Sequence, residues 1–458
     1  MHDSHAFGRL AAFEPDLSGG LAELSELGVR AVRVQFADLH GICRGKDIPA
    51  GAFPDSAEDG ISFVEAIMTV DLRHNVIAGF EKGFPDLHGR PDLGTLVRLP
   101  WQPDIAACIV DLEDPTTHRP HPLDGRGALK RVLARFAELG LSPVVGPELE
   151  FYLCEPDSGS PSGFRPYARQ DSPVYTVGER GDPKGVVSRM LDAAVSLGLG
   201  AIAAGHEYGR GQFEINLRHT NALDSADRAF RFKEMVKELA ARDGLRATFM
   251  GKPWNDDEGS GFHLHVSLRD GEGANTCADP AGEAGLAAVS RHFIAGVLEH
   301  APAMMAFFNP TVNSYRRLNA EALAPTRVCW GHDNRFVLVR VPRERSEATR
   351  IEIRLGDGSA NPYLAFTAAL AAGLDGIRRE LEPPEPLEGL IHELPEEHGV
   401  QLPTGLGDAL AALDADEVIG ESMGAELVET FKTIKEAELE RFRAWVTDWE
   451  FAEYSPRL

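Results

Sequence analysis

The stretch ATRIEIRLGD, residues 348–357, decides the fold prediction for this chain. Successive side chains of a strand point to opposite faces, so Ile351 and Ile353 share one face of this stretch. The other face carries three charged residues: Arg350, Glu352 and Arg354. One apolar and one charged face are typical of a half-exposed strand. The pattern therefore predicts a strand whose isoleucines pack on a core while its charges face an opening.

Two other stretches repeat this arrangement with different ionisable groups. GPELEFYL places Glu148 and Glu150 on one strand face, and GFHLHVSL does the same with His263 and His265. A further segment, HEYGRGQFEI, carries two glutamates separated by a glycine-rich turn, which favours their convergence. Several strands that each present ionisable pairs from one face predict a shared polar site.

The order of the predicted elements gives the fold class. Residues 1–115 are rich in strand patterns, and the Pro- and Gly-rich stretch DPTTHRPHPLDGRG at 114–127 indicates a domain junction. Residues 116–458 alternate helices and strands with long, variable connections, and one helix is predicted from an Asp224 cap to about Arg242. We predict an α+β protein whose second domain contains a curved, largely antiparallel sheet.

Composition and charge exclude several classes of function. The net charge of −25 and the pI of about 5.1 argue against a nucleic-acid partner or an anionic membrane surface. No run of apolar residues approaches the length of a membrane span, and the N-terminal residues lack the pattern of a signal peptide. Five widely spaced cysteines without a CxxC pair predict a reduced, cytoplasmic protein.

The polar face of the strands predicts a site for two divalent cations. Six residues carry the ligand groups: Glu148, Glu150, Glu207, Glu214, His263 and Glu352. Carboxylates with an occasional imidazole suit Mg²⁺ or Mn²⁺. Four arginines follow in the chain: Arg335, Arg340, Arg350 and Arg354. Taken alone, the E-x-E and H-x-H pairs are better explained as structural strand faces and RIEIR about equally well, whereas HEYGRGQFEI is more specific because its glycines let two glutamates converge. Metals with arginines are typical of phosphoryl transfer. No Walker A sequence is present.

Taken together, the motifs resemble type I glutamine synthetase. They occur in one order along nearly the whole chain: GPELEFYL, HEYGRGQFEI, GFHLHVSL, NPTVNSYRRL, RIEIR and ANPYLAF. The hairpin FADLHGICRGKDIP resembles the N-terminal β-grasp domain of that family. The resemblance implies a β-grasp domain over 1–115 and, over 116–458, a catalytic domain whose curved sheet forms a funnel-shaped active site.

The resemblance also implies a reaction and its participants. Such a ligase uses ATP to phosphorylate the side-chain carboxylate of L-glutamate, and an amine then displaces the phosphate to form an amide. Two Mg²⁺ or Mn²⁺ ions would be bound, one by Glu150, Glu207 and Glu214 and the other by Glu148, His263 and Glu352. The substrates are small molecules, and active sites form between the subunits of a ring-based homo-oligomer, plausibly two stacked hexamers.

Further roles are carried over from the matching motif positions. His265 and Ser267 fall at nucleotide-contacting positions, as does Arg350. Arg335 and Arg340 match arginines that contact phosphate groups, and Arg335 acts at the reaction centre. Positions that bind or line the glutamate site are matched by Gly259, Arg317 and Arg354, beside Glu150 and His263. Asp38 matches an aspartate that a neighbouring subunit contributes to the nucleophile site.

One departure from the family pattern concerns the nucleophile. Where the family has a glutamate that holds and deprotonates ammonium, the segment RLNAEALAP places Leu323, and Glu321 lies two residues earlier. Leucine removes the charge that attracts ammonium and leaves an apolar wall. Glu258 also replaces a loop asparagine. These changes resemble the branch that makes γ-glutamylamides from ethanolamine, short alkylamines or polyamines, and we favour a short monoamine.

Three alternatives stay open at the level of sequence. Glu321 can take the place of the missing glutamate, which would make the protein an ordinary glutamine synthetase. Guanidino phosphotransferases share a funnel-shaped catalytic core, although the paired motifs fit a ligase better. A non-catalytic relative would have lost metal ligands, whereas all six are retained.

Overall fold

A computed structural model describes residues 28–167, 173–318, 323–390 and 399–458, together with Leu24. Its α-helices are α1 (Phe53–Asp59), α2 (Gly125–Ala137), α3 (Val186–Ser196), α4 (Ala222–Arg242), α5 (Ala288–Phe308), α6 (Pro362–Arg379), α7 (Leu406–Asp414), α8 (Glu417–Met423), α9 (Ala425–Arg443) and α10 (Asp448–Tyr454). The described chain mixes helices with strands, which confirms the predicted α+β class.

The N-terminal part of the chain forms a six-stranded sheet. Its strands are β1 (Ala31–Ala37), β2 (Cys43–Pro49), β3 (Ile61–Val64), β4 (Asp86–Pro91), β5 (Val97–Leu99) and β6 (Gln102–Glu113). The order is β2-β1-β6-β4-β3, with β5 also on β6. β1 and β2 form the predicted hairpin, and β1 runs parallel to β6. The predicted strand-rich N-terminal part is therefore present, while its boundary at residue 115 stays a prediction.

The second sheet has ten strands and positions the candidate site. They are β7 (Ser142–Pro156), β8 (Phe164–Pro166), β9 (Ala201–His206), β10 (Gln212–Leu217), β11 (Thr220–Asn221), β12 (Arg246–Thr248), β13 (Gly261–Arg269), β14 (Trp330–His332), β15 (Val339–Val341) and β16 (Ile351–Asp357). The main order is β14-β15-β16-β13-β7-β10-β9, and every pair in it except β14–β15 is antiparallel.

Long strand β7 joins the two halves of this curved sheet. Its first half pairs with β13, and its second half pairs with β10, β8 and β12. A strand that exchanges partners along its length must bend and twist, because each partner takes its own direction. The charged face of the sheet therefore lies inside a concave surface.

Apolar helices cover the other face of the sheet. α5 and α6 cross at Gly296 and Gly376, where a side-chain carbon on Gly296 would lie 2.1 Å from the carbonyl oxygen of Ala372. This close approach requires glycine, and it buries most of both helices. Ile351 and Ile353 of β16 are fully buried in the same core, as their alternation predicts. The core thus fixes the strands from behind.

Two details differ from the sequence predictions. α4 begins at Ala222 and is capped by Asn221, whose side-chain oxygen accepts a hydrogen bond from the backbone N–H of Asp224, so the predicted Asp224 cap is wrong. β16 is buried along its whole length, including Glu352 and Arg354, although its alternation is that of a half-exposed strand. Its charged face turns into the concave side of the sheet and pairs internally. Among the described helices, none combines the length and apolar character needed to cross a membrane.

Candidate active site

Strand register brings the predicted ligands into one row across the sheet. Glu214 on β10 lies opposite Glu150 on β7, and Glu148 on β7 lies opposite His263 on β13. On the next pair, His265 of β13 lies opposite Glu352 of β16. Opposed residues of neighbouring strands have β-carbons about 4.5–5.5 Å apart, so ligand side chains on one face converge. These residues line a cavity of about 590 Å³, except for His265 at its edge.

Glu148 orients two imidazole rings. Its Oε1 atom accepts a hydrogen bond from Nδ1 of His263 at 2.8 Å, and its Oε2 atom lies 3.2 Å from Nε2 of His265. Because a carboxylate accepts, Nδ1 of His263 carries the proton and Nε2 is left as a possible metal ligand. Burial opposes ionisation of Glu148, but the two histidine hydrogen bonds lower its pKa well below the usual range.

Glu352 lies between two guanidinium groups. Arg354 and Arg340 each place a guanidinium nitrogen 2.5 Å from one of its oxygens. Arg340 also binds Asp333 at 2.6 Å. Burial opposes ionisation of Glu352, but the charges of His265 and Arg354 lower its pKa to about 2. Arg340 and Arg354, two of the four predicted arginines, therefore line the cavity with the ionised Glu352 between them.

Glu207 and Glu214 form the opposite, uncompensated wall. Burial raises the pKa of Glu207 to about 7, with the charges of Glu150 and Glu148 adding to the effect. Burial likewise raises the pKa of Glu214 to about 8, and the charges of Glu148, Glu207 and Glu150 contribute. Acids that repel one another in a confined cavity are stabilised by a cation. The donor set thus fits hard divalent ions such as Mg²⁺ or Mn²⁺.

The candidate ligands group differently from the two predicted sets. In the described part of the chain, ligand atoms lie within 4.8 Å of one another in two groups that share Glu148. One group adds Glu150 and His263, and the other adds His265 and Glu352. Within the same residues, Glu150, Glu207 and Glu214 do not form such a group. His265, assigned to the nucleotide by resemblance, thus lies at ligand distance from two acids.

The predicted glutamate side of the cavity is built around a glycine. A side-chain carbon on Gly259 would lie 2.6 Å from Cγ of Arg317, so only glycine fits here. Arg317 is buried, and its Nη1 atom lies 3.5 Å from the carbonyl oxygen of Leu355. Leu323 lines the same cavity, and its carbonyl oxygen lies 3.4 Å from Nη2 of Arg354. Glu321 lies outside the described residues.

Similarity to known proteins agrees with this geometry. The sequence model of the family described as "Glutamine synthetase, catalytic domain" matches residues 122–454. This chain belongs to the glutamine synthetase family. It is 37% identical to the glutamine synthetase of Methanocaldococcus jannaschii, over 96% of this chain and 98% of that protein. The glutamine synthetase of Thermus thermophilus is also 37% identical, over 95% and 97% of the two chains.

The chain is also similar to solved structures of GmaS, which belongs to a separate branch of the same family. A structure of GmaS without ligand has 37% identity and a TM-score of 0.84, covering 95% of this chain and 98% of that one. A GmaS/ADP complex has 36% identity and a TM-score of 0.85, covering 95% and 99%. The family consists of ATP-dependent carbon–nitrogen ligases that use divalent metals, which identifies the reaction class of this glutamine synthetase relative.

Four residues with predicted site roles in this glutamine synthetase relative lie apart from the row of candidate metal ligands on the sheet. Arg335 lines the cavity and is exposed, whereas Arg350 pairs with Glu344 at 3.0 Å outside the lining. Ser267 follows His265 on the same face of β13. Asp38 is buried, and its carboxylate accepts hydrogen bonds from the N–H groups of His40 and Ile42 and from Nε of Arg44. Their roles stay predictions.

Several cavity residues were missed by sequence reasoning. They are Tyr175, Tyr208, Gln212, Gly261 and Ala324, while Glu258, which was singled out, also lines the cavity. A signal was present for Gln212, because it lies two residues before Glu214 and therefore on the same face of β10. The tyrosines lie outside the strands, where no periodicity reports the direction of a side chain.

Proposed function

We propose that this protein forms γ-glutamylamides from L-glutamate, ATP and a short organic amine. The observation that carries the proposal is the position of Leu323, which lines the cavity beside Arg354. By resemblance, ammonium-using relatives have a glutamate at this position. A leucine provides apolar contact for the carbon chain of an amine and gives no charge to hold ammonium. Structural similarity to GmaS, a γ-glutamylmethylamide synthetase, supports the same branch.

The side chains of the cavity suit both halves of such a reaction. The acidic row and His263 would hold divalent metals, which neutralise charge on the phosphates during transfer. Arg340 and Arg335 would position the phosphoryl group of ATP against the side-chain carboxylate of glutamate. A C–O–P linkage then forms as ADP leaves. In the second half, the amine nitrogen forms a bond to the carbonyl carbon, phosphate departs with its oxygen, and the nitrogen loses a proton.

A ring-based homo-oligomer, a dodecamer of two stacked hexamers, belongs to the same proposal. The C-terminal segment exposes Trp445, Trp449 and Phe451 by 67%, 64% and 72%. Large aromatic side chains grouped at a surface are typical of protein interfaces. Asp38 would then contribute to the site of a neighbouring subunit. Sedimentation of the intact protein tests this part, and a monomeric mass would contradict it.

The experiment that tests the amine proposal measures phosphate release from ATP with L-glutamate and Mg²⁺. The amines compared are ammonium, methylamine, isopropylamine, ethanolamine, putrescine and spermine, and product masses identify each amide. We expect one short monoamine to give a kcat/KM at least about tenfold above that of ammonium, a difference of about 1.4 kcal/mol. Turnover with ammonium alone would identify a glutamine synthetase, the activity for which the curated relatives are named.

A further inference from the structure

Gln212 is a buried amide at the centre of the site that the metal and substrate assignments leave unused. Its side chain is enclosed, with 1% of the residue exposed, although it borders the cavity. It begins β10, two residues before Glu214 and directly after the glycine-rich turn. Its four hydrogen-bonding positions therefore face protein groups rather than bulk solvent.

The amide of Gln212 makes specific contacts with two parts of the site. Its Nε2 group donates to Oε2 of Glu150 at 2.8 Å and to the carbonyl oxygen of Gly259 at 3.0 Å. Its Oε1 atom accepts from the backbone N–H of Gly209 at 2.9 Å. Only this orientation of the amide satisfies all three partners, because Glu150 and Gly259 offer acceptors and Gly209 offers a donor.

The contact with Glu150 determines which oxygen of that acid is free. Oε2 of Glu150 also accepts a hydrogen bond from the backbone N–H of Gly261 at 2.8 Å. Both donors that the described residues give to this carboxylate therefore go to Oε2, which leaves Oε1 for a cation. Protein groups that orient a metal-binding carboxylate in this way fix its geometry and affinity.

The other contacts of Gln212 are with the backbone of two glycines against which neighbouring side chains pack closely. A side-chain carbon on Gly209 would lie 1.9 Å from the hydroxyl oxygen of Tyr152. That hydroxyl donates to the carbonyl oxygen of Glu258 at 2.7 Å, one residue before Gly259. Gly259 in turn packs against Arg317. A shift of the Gly259 turn therefore pulls directly on the amide that holds Glu150.

We propose that Gln212 is a positioning residue that couples the metal site at Glu150 to the glutamate-binding turn at Gly259. Metal binding fixes Glu150, which fixes the amide and the carbonyl of Gly259, so each ligand favours the geometry that the other needs. Such coupling is reciprocal, and typical values are about 5- to 150-fold in affinity. The inference rests on the proposed function through L-glutamate and the divalent metal, and it does not depend on which amine is used.

The test uses Gln212→Met in the full-length protein, because methionine keeps the length of the side chain and removes its hydrogen bonds. Calorimetric titration measures Mn²⁺ affinity, and L-glutamate affinity is measured without and with saturating Mn²⁺. We expect Mn²⁺ to bind about 10- to 100-fold more weakly in the variant. The factor by which Mn²⁺ tightens glutamate binding should fall from several-fold towards one.

Gln35→Met is the matched control, since Gln35 is also a buried glutamine and its amide donates to Sγ of Cys43 at 3.3 Å, away from the cavity. This control should lower the melting temperature without changing either affinity or their coupling. If Gln212→Met does not fold, Gln212→Glu keeps the shape and the acceptor for Gly209 but cannot donate to Gly259. Its coupling factor should also fall towards one.

Three results would overturn the inference, and they differ from one another. Strong coupling in the wild type that persists in Gln212→Met and Gln212→Glu would reject the role of Gln212 and leave the proposed function intact. A wild-type protein that binds neither Mn²⁺ nor L-glutamate would reject both. Equal losses in Gln212→Met and Gln35→Met would show that general destabilisation, not positioning, weakens binding.

Discussion

Two groups of acids in this protein differ in what neutralises their charge. Around the buried guanidinium of Arg126, three aspartates come from different elements, and Asp227 binds it through both oxygens at 2.9 and 2.8 Å. Asp92 and Asp111 bind the same guanidinium at 2.7 and 2.6 Å. In the cavity, Glu207 and Glu214 face other acids instead, and their pKa values rise to about 7 and 8 through burial and repulsion.

The difference separates a structural cluster from a binding site. Burial opposes the charge of Arg126, but pairing with Asp227 holds its pKa above the usual value, so that group carries its own cation. Within the described part of the chain, no arginine or lysine forms an ion pair with Glu207 or Glu214, so a ligand would have to supply the positive charge. Buried charges are costly unless they are paired. The folded chain thus maintains electrostatic strain at the place where a metal is expected.

Removing the cation from the compensated cluster should have the largest effect. Arg126→Met leaves the buried carboxylate of Asp227 without its cation and removes a partner from the partly exposed Asp92 and Asp111. We expect the free energy of unfolding to fall by about 3–5 kcal/mol. Urea unfolding measures the change. Arg189→Met is the control, because Arg189 forms a more exposed pair with Asp243 and should cost less than about 1 kcal/mol. Equal losses in both variants would remove the distinction between the clusters.

Neutralising one of the cavity acids should instead raise the free energy of unfolding. Glu214→Gln removes repulsion, so the metal-free protein should become about 1 kcal/mol more stable. Ligase activity should fall about 100-fold because a charge that attracts the metal is lost. Thermal unfolding with and without Mn²⁺ measures the first effect. Glu155→Gln on β7, where Glu155 lies outside the cavity lining and pairs with Lys184, should retain activity; a similar loss there would count against the metal site.

In a third cluster, a histidine takes the place of arginine as the cation that pairs with buried acids. Both ring nitrogens of His300 face carboxylates, with Nδ1 2.7 Å from Asp416 and Nε2 3.0 Å from Asp375. Carboxylates accept, so both nitrogens donate and the ring is an imidazolium. Arg379 also pairs with Asp375, and with Glu299 farther out. Burial opposes this charge, but hydrogen bonds to Asp416 and Asp375 raise the pKa of His300.

The sign of the pH dependence follows from this raised pKa. Protonation of His300 stabilises the fold fully below about pH 6.5, and the contribution is lost as the pH rises through the folded pKa. We expect His300→Gln to cost about 2 kcal/mol at pH 6 and less at higher pH. Urea unfolding from pH 6 to 9 measures this difference. A cost that grows with pH would show that a neutral ring makes these contacts.

We expect the smallest effect from a variant that adds a negative charge to the acidic cavity. Leu323→Glu should raise the preference for ammonium over the organic amine by about tenfold, which corresponds to about 1.4 kcal/mol. The ratio of kcat/KM values for the two nucleophiles measures it. Leu323→Gln has a similar size without the charge and should lower use of the organic amine without improving use of ammonium. An unchanged ratio in Leu323→Glu would mean that this position does not select the nucleophile.

The sequence alone predicted the parts of the site that depend on local alternation. Glu148 and Glu150 share a face because they are two residues apart, and the same rule places His263 with His265. The grouping of candidate ligand atoms around Glu148 was not predictable, since it depends on the register between three strands distant in sequence. Long-range pairing is set by the packed core rather than by any one segment.

One wrong prediction came from chemically similar neighbours, and one omission came from residue type. Asn221 and Asp224 are both good helix caps, and the hydrogen bond from the Asp224 N–H to Asn221 decides between them. Gln212 shares the strand face of Glu214, but an amide does not stand out among carboxylates when metal ligands are sought. Its hydrogen bonds to Glu150, Gly209 and Gly259 depend on how the folded backbone brings these partners together, which no spacing rule reports.

The bent strand β7 also limits how this protein can change in length. It carries Glu148 and Glu150 on one face and the buried Leu149 and Phe151 on the other. One inserted or deleted residue before Glu148 would reverse the two faces, placing carboxylates in the core and apolar side chains in the cavity. The exposed turn at residues 157–163 has no such constraint. Length variation among relatives should therefore collect in that turn and spare the strand before it.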